Sequence, residues 1–198
     1  MKEKQNSRPD SMTMRDGVLF PKIKVGPDLF HFYYGVTMIT IRKAQESDFD
    51  SIWQIFHQIV AQGDTYPYDP ETTKDQAYAI WMSKDVTTYV ACMDGVVVGT
   101  YILKPNQPGL GSHVANAGYM VRSDCVRAGI GKAMCEHSMM EARKEGFLAM
   151  QFNFVVSTNK TAIALWKKMG FSIVGTLPKV FRYKRLGLVD AYVMHRFL

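Results

Sequence analysis

H113-V-A-N-A-G-Y-M-V-R-S-D-C-V-R-A-G-I-G-K-A-M134 decides how this chain of 198 residues folds. Its first nine residues, 113–121, suit a strand. From Gly131 the pattern becomes that of a helix reaching Glu145, with Gly146 as its stop. L148-A-M-Q-F-N-F-V-V156 is a second strand. Residues 113–156 therefore make a β-α-β unit, with parallel strands joined by a right-handed crossover. The turn between strand and helix carries two glycines, Gly129 and Gly131. Glycine lets backbone approach a ligand closely. The first N–H groups of a helix lack helical acceptors, and the dipole adds partial positive charge there. Arg127 and Lys132 add full charges. This pattern suits a phosphate or pyrophosphate cradle, against the alternative of an ordinary tight turn. A Walker loop fails twice, because Val126 stands at its first glycine and Ala133 follows Lys132. A dinucleotide fingerprint fails at Met134.

Outward from that unit the chain continues in the same style. Downstream come a helix over 161–169 stopped by Gly170, a strand F171-S-I-V-G-T-L177, and a last strand over 189–198. Upstream, TYVACM and VVVGTYIL flank Asp94-Gly95, which suits a type I′ hairpin. A short helix is expected from Thr73 to Met82. A longer one runs from Ser47, with Ile52, Ile55, Phe56, Ile59 and Val60 on one face and Gly63 as its stop. MITIRK (38–43) is a strand. Residues 1 to about 16 form a polar arm, and 17–37 form short strands packing on the body.

Composition narrows the function classes. Hydrophobic residues are 47% and charged residues 21%, which argues against a disordered chain. The net charge of +6 favours an anionic partner or only a solvated basic surface. Cys92, Cys125 and Cys135 form no C-x-x-C, so neither a disulfide framework nor a cysteine metal site is expected. The polar start lacks a signal-peptide core, and no apolar run is long enough to span a membrane. A cytoplasmic protein without metal or membrane partner follows by elimination.

R127-A-G-I-G-K-A133 resembles the R/Q-x-x-G-x-G/A loop of the GNAT superfamily of acyl-CoA N-acyltransferases. N159-K-T-A-I-A-L-W-K-K-M-G-F171 is similar to that family's N-x-x-A-x-x-L-Y-x-K-x-G-F, one strand later. The resemblance covers roughly 38–198 and implies an α/β (α+β) fold. Its mixed central sheet would have about seven strands, helices on both faces and splayed parallel strands at the cofactor site. Residues 1–37 would stand outside that domain. The resemblance also implies acetyl-CoA as co-substrate. Backbone at Met120 and Val121 would pair with pantetheine. The loop Arg127, Ala128, Gly129, Ile130, Gly131, Lys132 and Ala133 would hold the pyrophosphate, and Asn159 the pantetheine or its phosphate end. Nucleic acid is then not needed to explain the charge, and a homodimer is compatible with the family.

The chain departs from the family where its Tyr protonates the leaving thiolate, because Trp166 stands there. An indole N–H donates a hydrogen bond but is no practical acid. Trp166 is then core or a pantetheine wall, and water, Tyr119 or Tyr66 would supply the proton. A non-catalytic acyl-CoA-binding protein is the alternative this departure supports.

Asn116 and Asn153 interrupt strands expected to be central and buried, where an amide must find partners. Either each satisfies local backbone where the strands part, or they steer the acceptor in catalysis. Asn116, Asn153 and Asn159 together resemble the yeast N-acetyltransferases that act on proline analogues such as azetidine-2-carboxylate. That subgroup shares the Trp and a G-T-L-P segment (175–178). It implies a small amine, an amino acid or its analogue, as acceptor, with Tyr66 and Phe154 beside the two asparagines. His113, Asp64, Asp69, Glu71 and Asp124 are the candidate general bases.

Overall fold

The computed structural model describes residues 12–15, 18–21, 30–34 and 37–198. Two short strands, β1 (Met12–Arg15) and β2 (Val18–Pro21), pair with each other antiparallel. β1 falls inside the stretch expected to be a polar arm; the rest of that arm, residues 1–11 and 16, lies outside the described residues. β3 (Phe30–Tyr34) pairs antiparallel with β4 (Thr37–Lys43) and so extends the main sheet.

The remaining elements follow the expected order. They are α1 (Phe49–Gln62), α2 (Lys74–Trp81), β5 (Thr87–Met93), β6 (Val96–Pro105), β7 (Val114–Val121) and α3 (Ile130–Lys144). Then come β8 (Ala149–Val156), α4 (Lys160–Lys168), β9 (Ser172–Tyr183) and β10 (Gly187–Phe197). The sheet has eight strands in the order β3-β4-β5-β6-β7-β8-β10-β9. The eighth is β3, from the segment expected to pack on the body as short strands. β9 runs past Pro178, further than the seven residues expected, because its partner β10 pairs with it as far as Tyr183.

Every contact in the main sheet is antiparallel except β7 with β8. Those two strands pair only over Val114–Asn116 and Ala149–Gln151, then part. The register of β8 against β10 explains the parting. Val155 faces Tyr192 and Phe152 faces Met194, so Asn153 and Phe154 together oppose the single Val193. Such a bulge bends its strand.

Each sheet face has its own core. Phe49, Ile52, Ile55, Phe56 and Val60 of α1 and Ala77 and Trp81 of α2 pack on Val90, Ile102 and Met120. On the other face Ile130, Ala133 and Met134 of α3 and Ile163 and Trp166 of α4 cover Ile39, Ile41, Tyr89, Tyr101 and Phe152. β6 meets α3 closely: a Cβ added at Gly99 would lie 3.0 Å from Ile130 Cγ2.

His137 is a polar group inside this second core, 1% exposed. Its Nδ1 lies 2.6 Å from the Tyr101 hydroxyl, and Tyr89 meets its ring edge-on. Burial lowers its pKa to about 4, with Glu141 acting the other way and Lys144 reinforcing it. An unfolded imidazole titrates near 6.5. Between those values the unfolded chain holds one more proton, so this residue's contribution to stability is full above about pH 6.5 and falls as pH drops toward 4. Urea unfolding at pH 7 and 4.5 should show that loss, and His137→Gln should lose less between the two pH values. Equal losses in parent and variant would refute the assignment.

Candidate active site

Where β7 and β8 part, a cavity of about 220 Å³ opens. Its wall includes Tyr66 and Tyr68 from the loop after α1, Asn116 to Tyr119 of β7, Phe152 to Val156 of β8, and Asn159, Ala162 and Trp166 from α4. The expected acceptor and α4 residues Asn116, Asn153, Phe154, Tyr66, Asn159 and Trp166 therefore meet at one place.

The backbone of β7 shows which groups face the opening. Asn106 N–H bonds the Val114 carbonyl, and Arg122 N–H bonds the Val98 carbonyl. Alternate residues of an antiparallel strand point the same way, so Gly118 and Met120 also turn to β6. Met120 is thus corrected: its backbone belongs to the β6 ladder, and its side chain is 1% exposed against α1 and α2. Tyr119 and Val121 present their backbone groups to the opening. The Tyr66 hydroxyl already donates to the Tyr119 carbonyl at 2.8 Å. A Cβ at Gly118 would stand 3.5 Å from the Tyr66 oxygen, in ordinary contact with it.

The two asparagines are less buried than expected. Asn116 is half-buried and Asn153 is exposed, because the strands separate beside them. Asn116 Nδ2 donates to the Gln151 carbonyl at 2.8 Å, at the last paired position. Asn153 donates to Asn106 Oδ1 at 2.6 Å and accepts from Gln151 Nε2 at 2.8 Å. Asn106 and Gln151 were not singled out in the sequence; amides two residues apart on β8 were the available signal.

Trp166 is 9% exposed and packs 5.0 Å from the Tyr119 ring and 4.9 Å from Phe152. It is at once core and cavity wall. Tyr119 points its hydroxyl at Ser138 Oγ, 2.7 Å away under α3, and burial raises its pKa well above the usual phenol range. Tyr66 is also raised by burial, and stays protonated with its oxygen at the opening. Of the two phenols considered as proton donors, only Tyr66 has its hydroxyl there.

None of the five candidate bases lines this cavity. The His113 ring rests on the Leu110 carbonyl. Asp124 pairs with Arg122 at 2.7 Å. Asp69 accepts from its own loop, at Glu71 N–H, and both border a neighbouring cavity of about 800 Å³. Asp64 lines neither cavity.

The glycine turn forms as the sequence implied. Gly129, at φ 77°, begins α3, and Arg127 also has a positive φ of 71°. The first helical bond runs from Ala133 N–H to the Gly129 carbonyl, so the N–H groups of Ile130, Gly131 and Lys132 have no helical acceptor. Arg127 and Lys132 are exposed, and Lys132 stands 3.6 Å from Glu136. This terminus can hold an anion. Asn159 caps α4, its Oδ1 accepting from Ala162 N–H at 3.1 Å, which leaves its NH₂ for a ligand at the cavity. Among the described residues no group of His, Cys, Asp and Glu could hold a metal ion, and no helix is long and apolar enough to cross a membrane.

Comparison with known proteins bears on this site. Residues 49–171 match the acetyltransferase (GNAT) family model. The chain is 30% identical to the L-amino acid N-acetyltransferase AaaT of Escherichia coli over 80% of its length and 97% of that protein's. It is 27% identical to the N-acetyltransferase aca1 of Schizosaccharomyces pombe, over 76% of this chain and 80% of the relative. A solved GCN5-related N-acetyltransferase from Kribbella flavida superposes with a TM-score of 0.78 at 42% identity, covering 81% of this chain and 98% of its own.

The two uses of the Asn159 amide separate by substitution. Asn159→Ala should lower stability by about 1 kcal/mol through the lost cap, whereas Asn159→Asp keeps a capping oxygen and should stay near the parent. Thermal unfolding checks both; an alanine variant as stable as the parent would show that the cap carries nothing.

Proposed function

The chain belongs to the GNAT acetyltransferase family, and from that premise we propose that the amine it acetylates is a small amino acid or analogue. Transfer of acetyl from acetyl-CoA to an amine nitrogen is the activity of the family. The single observation that supports the finer reading is the amide-lined floor where β7 and β8 part.

Each residue's role follows from what it presents. The free N–H groups of Ile130, Gly131 and Lys132, with Gly129 and the side chains of Arg127 and Lys132, hold the coenzyme pyrophosphate. Ala128 and Ala133 complete that turn. Val121 and Tyr119 offer strand-edge groups to pantetheine, and the Asn159 NH₂ donates to it. Acetyl-CoA supplies the activated acyl group. The acceptor nitrogen attacks the thioester carbonyl, the C–N bond forms as the C–S bond breaks, and the coenzyme thiolate leaves. A backbone N–H near Val121 polarises the carbonyl. Trp166 walls the site without giving up a proton, and Asn116 and Asn153 orient the acceptor beside Tyr66 and Phe154. The E. coli relative, named for L-amino acids, supports this acceptor class.

Thiol release from acetyl-CoA against amino acids, proline analogues, polyamines and aminoglycosides is the test. Amino acids or proline analogues should respond, and Asn153→Ala should raise their KM about tenfold with the KM for acetyl-CoA unchanged. A response confined to polyamines or aminoglycosides would overturn the acceptor class. No carboxylate or imidazole lines the cavity among the described residues, so the acceptor's proton passes to water. The pH dependence of kcat/KM should rise toward the pKa of each acceptor's own ammonium and move with it. An inflection fixed at one pH for all acceptors would reveal an enzyme base instead.

A further inference from the structure

Lys104 is the one charged residue among those lining the cavity at the parting strands. It was not among the residues singled out from sequence, and none of the roles assigned above uses it. Its position is set by register. Thr100, Ile102 and Lys104 of β6 stand directly opposite Met120, Gly118 and Asn116 of β7. Directly opposed residues share a sheet face, and every second residue along a strand shares it too. Ile102 and Met120 lie in the core under α1 and α2. Lys104 and Asn116 are therefore on that same face, further along, where the helices no longer cover it and Lys104 is exposed.

The polar side chains that share the cavity with Lys104 include the amides of Asn116, Asn153 and Asn159. Asn116, Gln151, Asn153 and Asn106 are linked by the hydrogen bonds already described. No Asp or Glu lines the cavity among the described residues, and Lys104 has no ion-pair partner among them. An ammonium with amide neighbours and no counter-charge attracts an anion and repels a second cation. A carboxylate accepts both a charged ammonium and neutral N–H donors. The floor thus suits the acid end of an acceptor whose amine end points to the parting strands.

We infer that Lys104 recognises the carboxylate of the acceptor and sets the preference for amino acids over amines that lack one. This rests on the amino-acid reading of the same site and goes beyond it by assigning the charge that selects. Lys104 touches no reacting atom. It acts on acceptor affinity, so its loss falls on KM more than on kcat.

The test measures thiol release by the full chain with acetyl-CoA and matched pairs of acceptors: an amino acid or proline analogue and its carboxamide. The parent should prefer the carboxylate in kcat/KM by about tenfold or more, the range of one charge-assisted contact. Lys104→Met should reduce that preference to within about threefold, Lys104→Arg should keep most of it, and Lys104→Glu should reverse it. The KM for acetyl-CoA should stay at the parent value in all three, which excludes misfolding as the cause. A parent that acetylates amino acids while Lys104→Met keeps its full preference refutes the role of Lys104 and leaves the acceptor class standing. A parent that acetylates amino acids and their carboxamides equally refutes it too. A parent that acetylates only amines without a carboxylate overturns the acceptor class and this inference together.

Discussion

The molecule is organised around a break in its own hydrogen bonding. Two adjacent strands in the middle of the sheet, β7 and β8, stay paired for three residues and then part. Elsewhere such a break is costly, because an unpaired backbone group away from water carries the full desolvation penalty. Here the bulge at Asn153 and Phe154 bends β8 away, and the side chains of Asn116, Tyr66 and Asn153 manage the consequences. Asn116 braces the last paired position through the Gln151 carbonyl. Tyr66 takes up the Tyr119 carbonyl. Asn153 binds sideways to Asn106 and Gln151. Past that point the backbone edge of Tyr119 and Val121 faces the opening, and a ligand with strand-like hydrogen-bonding groups can enter it.

The two faces of the sheet divide the work around that opening. On the face of α3 and α4 the lining is aromatic, with Tyr119, Phe152 and Trp166 in mutual contact. On the face of α1 and α2 it changes from apolar Ile102 to Lys104 and the amides. The stacked pair Tyr66 and Tyr68 stands between this cavity and the larger neighbour, and forms part of both walls. The loop carrying that pair is held in place by its packing on Trp81 and Phe56.

Much of this was legible in the sequence, for identifiable reasons. The glycine turn, Asn159 and the β-α-β order are local features, and local patterns survive folding unchanged. The long-range features were harder. The family resemblance implied the ligand edge for both Met120 and Val121, whereas a strand turns successive backbone groups to opposite sides. Asn116 and Asn153 were expected to be buried because their strands are central, and only the parting of those strands exposes them. Lys104 lies in a stretch, K-P-N-Q, that looks like a loop; its place opposite Asn116 depends on a register that periodicity does not reveal. Trp166 kept the ambiguity it had in the sequence, since it is both core and wall.

One strand with two unlike edges has a further consequence for how the resting molecule breathes. Along β7 the amides of Gly118, Met120 and Arg122 are locked into the β6 ladder, while those of Tyr119 and Val121 look into the opening. Deuterium should therefore enter this central strand with a period of two: neighbouring amides at the same depth in the sheet would differ widely in protection. A sheet interior normally exchanges as a block. This one carries an alternating record of where its own pairing stops, and a ligand that completes the ladder would erase the alternation.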